Sequence, residues 1–159
     1  MSTWPRDRLR NFAARSSFQK GWFVPVWLGL GLASLGIAVV PFRHIARYLG
    51  EYRGLDTPDF AISEQQRSRA LEIRRTLQWA AASAPWRADC YPQAMVARVL
   101  LGLYRLPFVL CLGLRSLEGG QLEAHAWVTC GEVCVTGDTG TEQYRTVGVY
   151  AKSGGGPRT

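Results

Sequence analysis

Residues 122–138 contain two segments, Leu122 to Cys130 and Val133 to Asp138, in which apolar and polar side chains largely alternate on either side of Gly131-Glu132. A period of two is typical of a β-strand that has one face in the core. A two-residue break containing glycine between such segments indicates a β-hairpin. This part of the chain is therefore expected to form an antiparallel sheet, and the rest of the fold must cover its apolar face.

The hairpin also predicts which residues face each other. With Gly131-Glu132 as the loop, Cys130 pairs with Val133, and counting along both strands places His125 opposite Asp138. Paired Cβ atoms lie about 4.5–5.5 Å apart, which lets a carboxylate accept a proton from an imidazole nitrogen. An ordinary surface pair of His and Asp is one alternative, and a register that slips by one residue is another. One predicted face is apolar (Ala124, Ala126, Val128, Val133, Val135, Gly137) and the other holds Glu123, His125, Trp127, Thr129, Thr136 and Asp138.

Helical patterns precede the strands. Ser63 and Gln66 predict a capping box, after which apolar residues recur at helical spacing up to Ala84-Pro85. The densely apolar segment from Cys90 to Leu103 predicts a buried helix, and further strands are expected at 107–115 and 144–150. Helices followed by an antiparallel meander predict an α+β fold. We expect an apolar helical segment at 1–60, whose first 20 residues form a polar lead-in, a core at 61–152 and a flexible tail at 153–159.

Residues 22–42 form a run of 21 residues without a charge, which is long enough to cross a bilayer as a helix. Pro25 and three glycines weaken it as a helix, and its flanks are basic on both sides. Three interpretations stay open: a core helix, an interfacial helix or a membrane span. A cleaved signal peptide is disfavoured because the run exceeds the usual length of such a segment.

The four cysteines occur without a secretory signal, so we expect reduced thiols and a cytoplasmic protein, with membrane association left open by residues 22–42. Cys130 and Cys134 suggest half of a zinc site, but no further Cys or His completes it. Two small strand residues are the better interpretation, and we expect neither metal nor cofactor.

Cys90 lies at the start of the buried helix, where free amides and the helix dipole lower a thiol pKa. Taken alone, a cysteine there is more often a packing residue. Together with His125 as base and Asp138 as its orienting group, it forms the constellation of a papain-like cysteine enzyme. The Cys90 amide is the expected first oxyanion donor. Gln78 and Trp86 are candidates for the second, and Gln93 is a candidate for support.

The net charge of +7 favours an acidic partner, which leaves anionic lipid, an acidic peptide and nucleic acid as classes. No nucleic-acid-binding motif accompanies the charge, and the arginines are scattered along the chain. We therefore expect no nucleic-acid partner.

Four motifs carry a family resemblance: DCYPQA at 89–94, LCLGLR at 110–115, AHAWV at 124–128 and VTGD at 135–138. In these the chain resembles the transglutaminase-like cysteine peptidases of lasso-peptide biosynthesis, the B proteins of the type that is separate from the leader-binding domain. The resemblance implies a hydrolase that removes the leader from a ribosomally made precursor by Cys-His-Asp catalysis, with the roles on Cys90, His125 and Asp138, before an ATP-using cyclase closes the macrolactam.

The resemblance also implies partners. Residues 1–80 are helical and apolar in pattern, so the leader-recognition domain of some family members is expected to be absent. A separate leader-binding protein is therefore expected as a partner. The lasso cyclase is a further candidate partner. Two rival functions remain: a transglutaminase-type acyl transferase, and a non-enzymatic, membrane-associated interaction protein.

Overall fold

The computed structural model describes residues 14–138 and 140–155. The first 13 of the 20 residues predicted as a lead-in and the last four residues of the tail lie outside this description. These residues form four α-helices: α1 (Ser17–Val39), α2 (Phe42–Ala46), α3 (Glu64–Ala82) and α4 (Cys90–Leu103). The same described residues form five strands: β1 (Glu51–Tyr52), β2 (Phe108–Ser116), β3 (Leu122–Cys130), β4 (Val133–Thr136) and β5 (Arg145–Lys152).

The strands form one antiparallel sheet in the order β1-β5-β2-β3-β4. Helices α3 and α4 pack against the β3–β4 end of this sheet, and α1 packs against both of these helices. The predicted α+β class is confirmed. A main core lies between the helices and one sheet face, and a smaller one around Val109, Cys111, Val149 and Ala151 covers the other face.

The two helices that flank the sheet begin and end where local chemistry requires. The predicted capping box opens α3, since the Ser63 hydroxyl accepts the Gln66 amide and the Gln66 side chain accepts the Ser63 amide. The expected apolar positions, among them Ile73 and Leu77, are fully buried. Helix α4 begins at Cys90, which is the predicted start.

Helix α1 covers nearly all of the uncharged run and begins at the Ser16 cap, whose hydroxyl accepts the Gln19 amide. One side of the helix packs in the core through Val26 and Leu30, and the Trp22 indole donates to the Tyr104 hydroxyl at 2.7 Å. By length and composition α1 is also apolar enough to span a membrane. Its packed side makes it part of the same core as α3 and α4.

The predicted hairpin register is wrong beyond its first two pairs. Cys130 faces Val133 and Thr129 faces Cys134 as expected, but a bulge then shifts the pairing so that Val128 faces Thr136. The bulge moves Thr136 to the helix-facing side, where it is buried, instead of the predicted histidine face. The ladder ends there, so His125 does not pair with Asp138 across these strands. His125 instead lies opposite Gly113 of β2.

Candidate active site

A cavity of about 270 Å³ lies where the start of α4 meets α3 and the β3–β4 end of the sheet. All three predicted site residues line it. The remaining lining residues come from α3, α4 and the end of β4: Gln78, Gln93, Val135, Thr136 and Gly137. The fold thus brings Cys90 and Asp138, which are 48 residues apart in the chain, into one cavity.

Cys90 is the first residue of α4, and its N-cap residue Asp89 makes no side-chain capping bond. Burial raises the pKa of the Cys90 thiol, and the backbone amide of Ala126, next to His125 in the chain, opposes this by hydrogen bonding to the sulfur. The negative charge of Asp89 raises the pKa further. The resting group is therefore a protonated thiol, and nucleophilic attack requires a base to remove its proton.

His125 is held by two aromatic rings. Its imidazole stacks on Tyr144 with centroids 4.8 Å apart and on Trp127 at 5.9 Å. The residue opposite must be glycine, because a Cβ on Gly113 would lie 2.8 Å from both the Trp127 ring and the Tyr144 Cβ. The absence of a side chain at Gly113 thus makes room for the rings that fix the imidazole plane.

A backbone carbonyl fixes the protonation of the ring. His125 Nε2 lies 3.0 Å from the Gly137 oxygen. A carbonyl oxygen only accepts hydrogen bonds, so Nε2 carries a proton and the tautomer with its lone pair on Nδ1 is the one that fits this contact. In that tautomer Nδ1 is the nitrogen that accepts a proton.

Asp138 occupies a different place from the one predicted. Its Oδ2 forms an ion pair with Arg74 Nη2 at 2.5 Å, and Arg74 Nη1 donates to the Cys134 carbonyl at 2.9 Å. Gly137, with φ +74°, turns the chain after β4, and a Cβ there would lie 2.4 Å from the Ala126 oxygen. The bulge and this turn explain why the orienting hydrogen bond to His125 comes from Gly137 O while the Asp138 carboxylate reaches Arg74.

Sequence reasoning missed Arg74 and Tyr144. Arg74 and Gln78 are four residues apart and therefore lie on one face of α3. This polar pair beside a buried apolar stripe is a sequence signal that could have identified Arg74. Tyr144 is the first residue of the strand expected at 144–150 and gave no signal of its own. It is flanked by Arg115, whose guanidinium lies 4.9 Å from the Tyr144 centroid and bonds Glu123 at 2.5 Å.

The structure distinguishes the candidates for the second oxyanion donor by whether they line the cavity. Gln78 lines the cavity, whereas the Trp86 ring packs against Trp27 at 4.5 Å and is not among the lining residues. Gln93 donates its side-chain amide to the Ala88 carbonyl at 2.7 Å, which supports the loop that leads into Cys90. Gln78 is therefore the donor that the geometry favours.

The described residues offer no set of side chains that could bind a metal ion. Within 14–138 and 140–155, no group of three or more His, Cys, Asp and Glu side chains is placed to hold an ion. All four cysteines are free thiols, and Cys111 and Cys130 are buried.

A thiol at a helix N-terminus and an imidazole on an adjoining antiparallel strand define the α+β arrangement of papain-like proteins. The family model described as "Transglutaminase-like superfamily" matches residues 36–149. The chain belongs to this superfamily, which includes cysteine peptidases and acyltransferases. No curated protein and no solved structure matches the chain.

Proposed function

We propose that the protein is a cysteine peptidase in which Cys90 is the nucleophile and His125 the general base. His125 Nδ1 takes the thiol proton, and the sulfur attacks a peptide carbonyl. The protonated imidazole then gives its proton to the leaving amine, and water hydrolyses the thioester to release the acid and the free thiol. The Cys90 amide and the Gln78 side chain are the proposed donors to the oxyanion. The observation that carries the proposal is the shared cavity of Cys90 and His125.

The proposed substrate is a lasso-peptide precursor, from which the leader is cleaved, and the family resemblance carried by the four motifs supports it. DCYPQA opens α4, AHAWV lies in β3 and VTGD spans the end of β4 and its turn. LCLGLR lies in β2, where it supplies Gly113 beneath the aromatic rings and Arg115 beside Tyr144. Three of the four motifs therefore contribute residues to the cavity, and LCLGLR supplies the glycine that makes room for the rings around His125.

Leader recognition is proposed to come from a separate protein. A cavity of about 270 Å³ accommodates only a few side chains around a scissile bond. A peptide leader needs a longer surface, such as the sheet edge that leader-binding domains offer. The proposed assembly holds the precursor on that partner while this chain cleaves it, and the lasso cyclase acts on the product. The proposed location is the cytoplasm, where the thiols stay reduced.

The test is to incubate the precursor encoded by a neighbouring gene with this protein and the encoded leader-binding partner, and to weigh the products. The proposal expects a hydrolysed leader with wild-type protein and none with Cys90→Ala. Cys134→Ala is the matched control, since Cys134 is another half-buried thiol, and it should cleave normally. An intact precursor, or cleavage by Cys90→Ala, would refute the proposal.

Acyl transfer to an amine is the second candidate, because the superfamily contains such enzymes. Adding a primary amine such as dansylcadaverine to the same reaction separates the two functions. A free carboxylate on the product supports the peptidase, and an amide carrying the amine supports the transferase.

A further inference from the structure

The outward side of α1 carries a stripe of exposed apolar residues. Their spacing of four, four, three and four places them on one face of the helix, which is about 35 Å long. We call this the α1 stripe: Val24, Leu28, Leu32, Leu35 and Val39, whose exposed fractions range from 51% to 71%. Helix α4, which packs against α1, also carries exposed Val99 and Leu103. Scattered exposed apolar residues are normal on proteins, but an aligned row of this length marks a binding surface.

The charge of the chain is concentrated in the part of the sequence that contains α1. Residues 1–50 carry seven Lys and Arg and one Asp, which gives +6 of the total +7. Residues 51–159 carry twelve basic and eleven acidic residues and are nearly neutral. Arg43 and Arg47 lie just beyond the C-terminal end of α1, and both are exposed. An apolar stripe within residues 8–50, which contain no acidic residue, suits an anionic lipid surface.

We propose that the α1 stripe lies in the interface of an anionic membrane, parallel to its plane, with Arg43 and Arg47 against the lipid headgroups. A spanning orientation is disfavoured because the opposite side of α1 is in the core. Val26 and Leu30 are buried there, and Ser34 donates to the Arg87 carbonyl at 3.2 Å. A second copy of the chain is disfavoured as occupant because residues 17–50 hold no acidic side chain to pair with Arg43 and Arg47 of the other copy. The proposal does not depend on the catalytic assignment.

The experiment is flotation of the full-length protein with vesicles of phosphatidylcholine containing about 30% phosphatidylglycerol, compared with pure phosphatidylcholine. We expect binding to the anionic vesicles at least about tenfold tighter, and release by high salt. Arg43→Glu/Arg47→Glu should abolish the preference. Arg145→Glu/Lys152→Glu makes the same charge change on β5 and should retain it.

The apolar contribution is tested with Leu28→Gln/Leu32→Gln, which should weaken binding by at least about tenfold because two leucines no longer enter the lipid. Leu55→Gln/Leu122→Gln is the matched control, since both leucines are exposed elsewhere. All four side chains are at the surface, so circular dichroism and thermal unfolding should match wild type.

Three results would overturn the proposal. The first is the absence of vesicle binding, or binding that Leu28→Gln/Leu32→Gln leaves unchanged. The second is a dimer in analytical ultracentrifugation that this variant dissociates, which would assign the stripe to a second copy. The third is protein that resists alkaline carbonate extraction, which would assign α1 to a membrane span.

Discussion

Arg74 joins α3 to the chain segment that orients His125, so its removal should loosen the site. Arg74→Gln loses the hydrogen bond to the Cys134 carbonyl, which contributes about 1 kcal/mol. It also loses the ion pair with Asp138. The Arg74 side chain is 31% exposed and that of Asp138 is 45% exposed, so solvent screening limits the contribution of this pair to about 0.5 kcal/mol. We expect a free energy of unfolding lower by about 1–2 kcal/mol, measured by urea denaturation.

A double-mutant cycle with Asp138→Asn tests this geometry. Asp138→Asn alone should cost about 0.5 kcal/mol, and the double variant should be no less stable than Arg74→Gln, because Asp138 has then lost its partner already. The alkylation rate of Cys90 by iodoacetamide should fall about tenfold in Arg74→Gln, since the Gly137 carbonyl no longer holds the imidazole in place.

Arg75→Gln is the matched control. Arg75 is the neighbouring residue, is more exposed and lies 4.0 Å from Glu72, so its loss should change stability by less than about 0.5 kcal/mol and leave alkylation unchanged. Strictly additive effects of Arg74→Gln and Asp138→Asn, or equal behaviour of Arg74→Gln and Arg75→Gln, would refute the reasoning.

Three further outcomes follow from the same geometry. Gly137→Ala forces a residue with a side chain to φ +74° against a β3 carbonyl and should lower stability by about 3 kcal/mol, whereas Gly36→Ala in α1, with no atom within 4 Å, should be neutral or stabilising in thermal unfolding. Because burial raises the pKa of the Cys90 thiol, its alkylation rate should keep rising beyond the pH at which an ordinary cysteine is half ionised, and a plateau near neutral pH would contradict a protonated resting thiol. Burial raises the pKa of Cys111 and of Cys130 to about 11, above the value in the unfolded state, so the unfolded state loses these protons first. The stability contributed by the two buried thiols is therefore complete below about pH 8.5 and is lost as the pH rises towards 11. A urea midpoint that stays constant over this pH range would contradict their burial.

Local chemistry made much of the fold predictable from the sequence. The α3 cap, the α4 start at Cys90 and the hairpin loop all depend on residues within a few positions of one another. The order of helices and strands then gave the α+β class. The superfamily match supports this class but is coarser than the lasso-peptide resemblance.

The parts that failed depend on contacts that a linear pattern does not contain. The bulge in β4 changes the register by one residue, which no alternation of side chains reveals, and so the predicted pairing of His125 with Asp138 was wrong. Arg74 reaches Asp138 across 64 positions of the chain, and Tyr144 reaches His125 from the loop before β5. The exposure of one side of α1 depends likewise on which of its faces α3 and α4 cover.

The most direct test of the account is whether His125 activates Cys90. Iodoacetamide alkylation at neutral pH, followed by peptide mass spectrometry, reports the reaction rate at each of the four cysteines separately. His44→Ala is the matched control, because His44 is the other histidine of the chain and is exposed on α2. The account predicts that Cys90 reacts fastest in wild type and in His44→Ala, and at least about tenfold more slowly in His125→Ala. An unchanged Cys90 rate in a folded His125→Ala protein would contradict it.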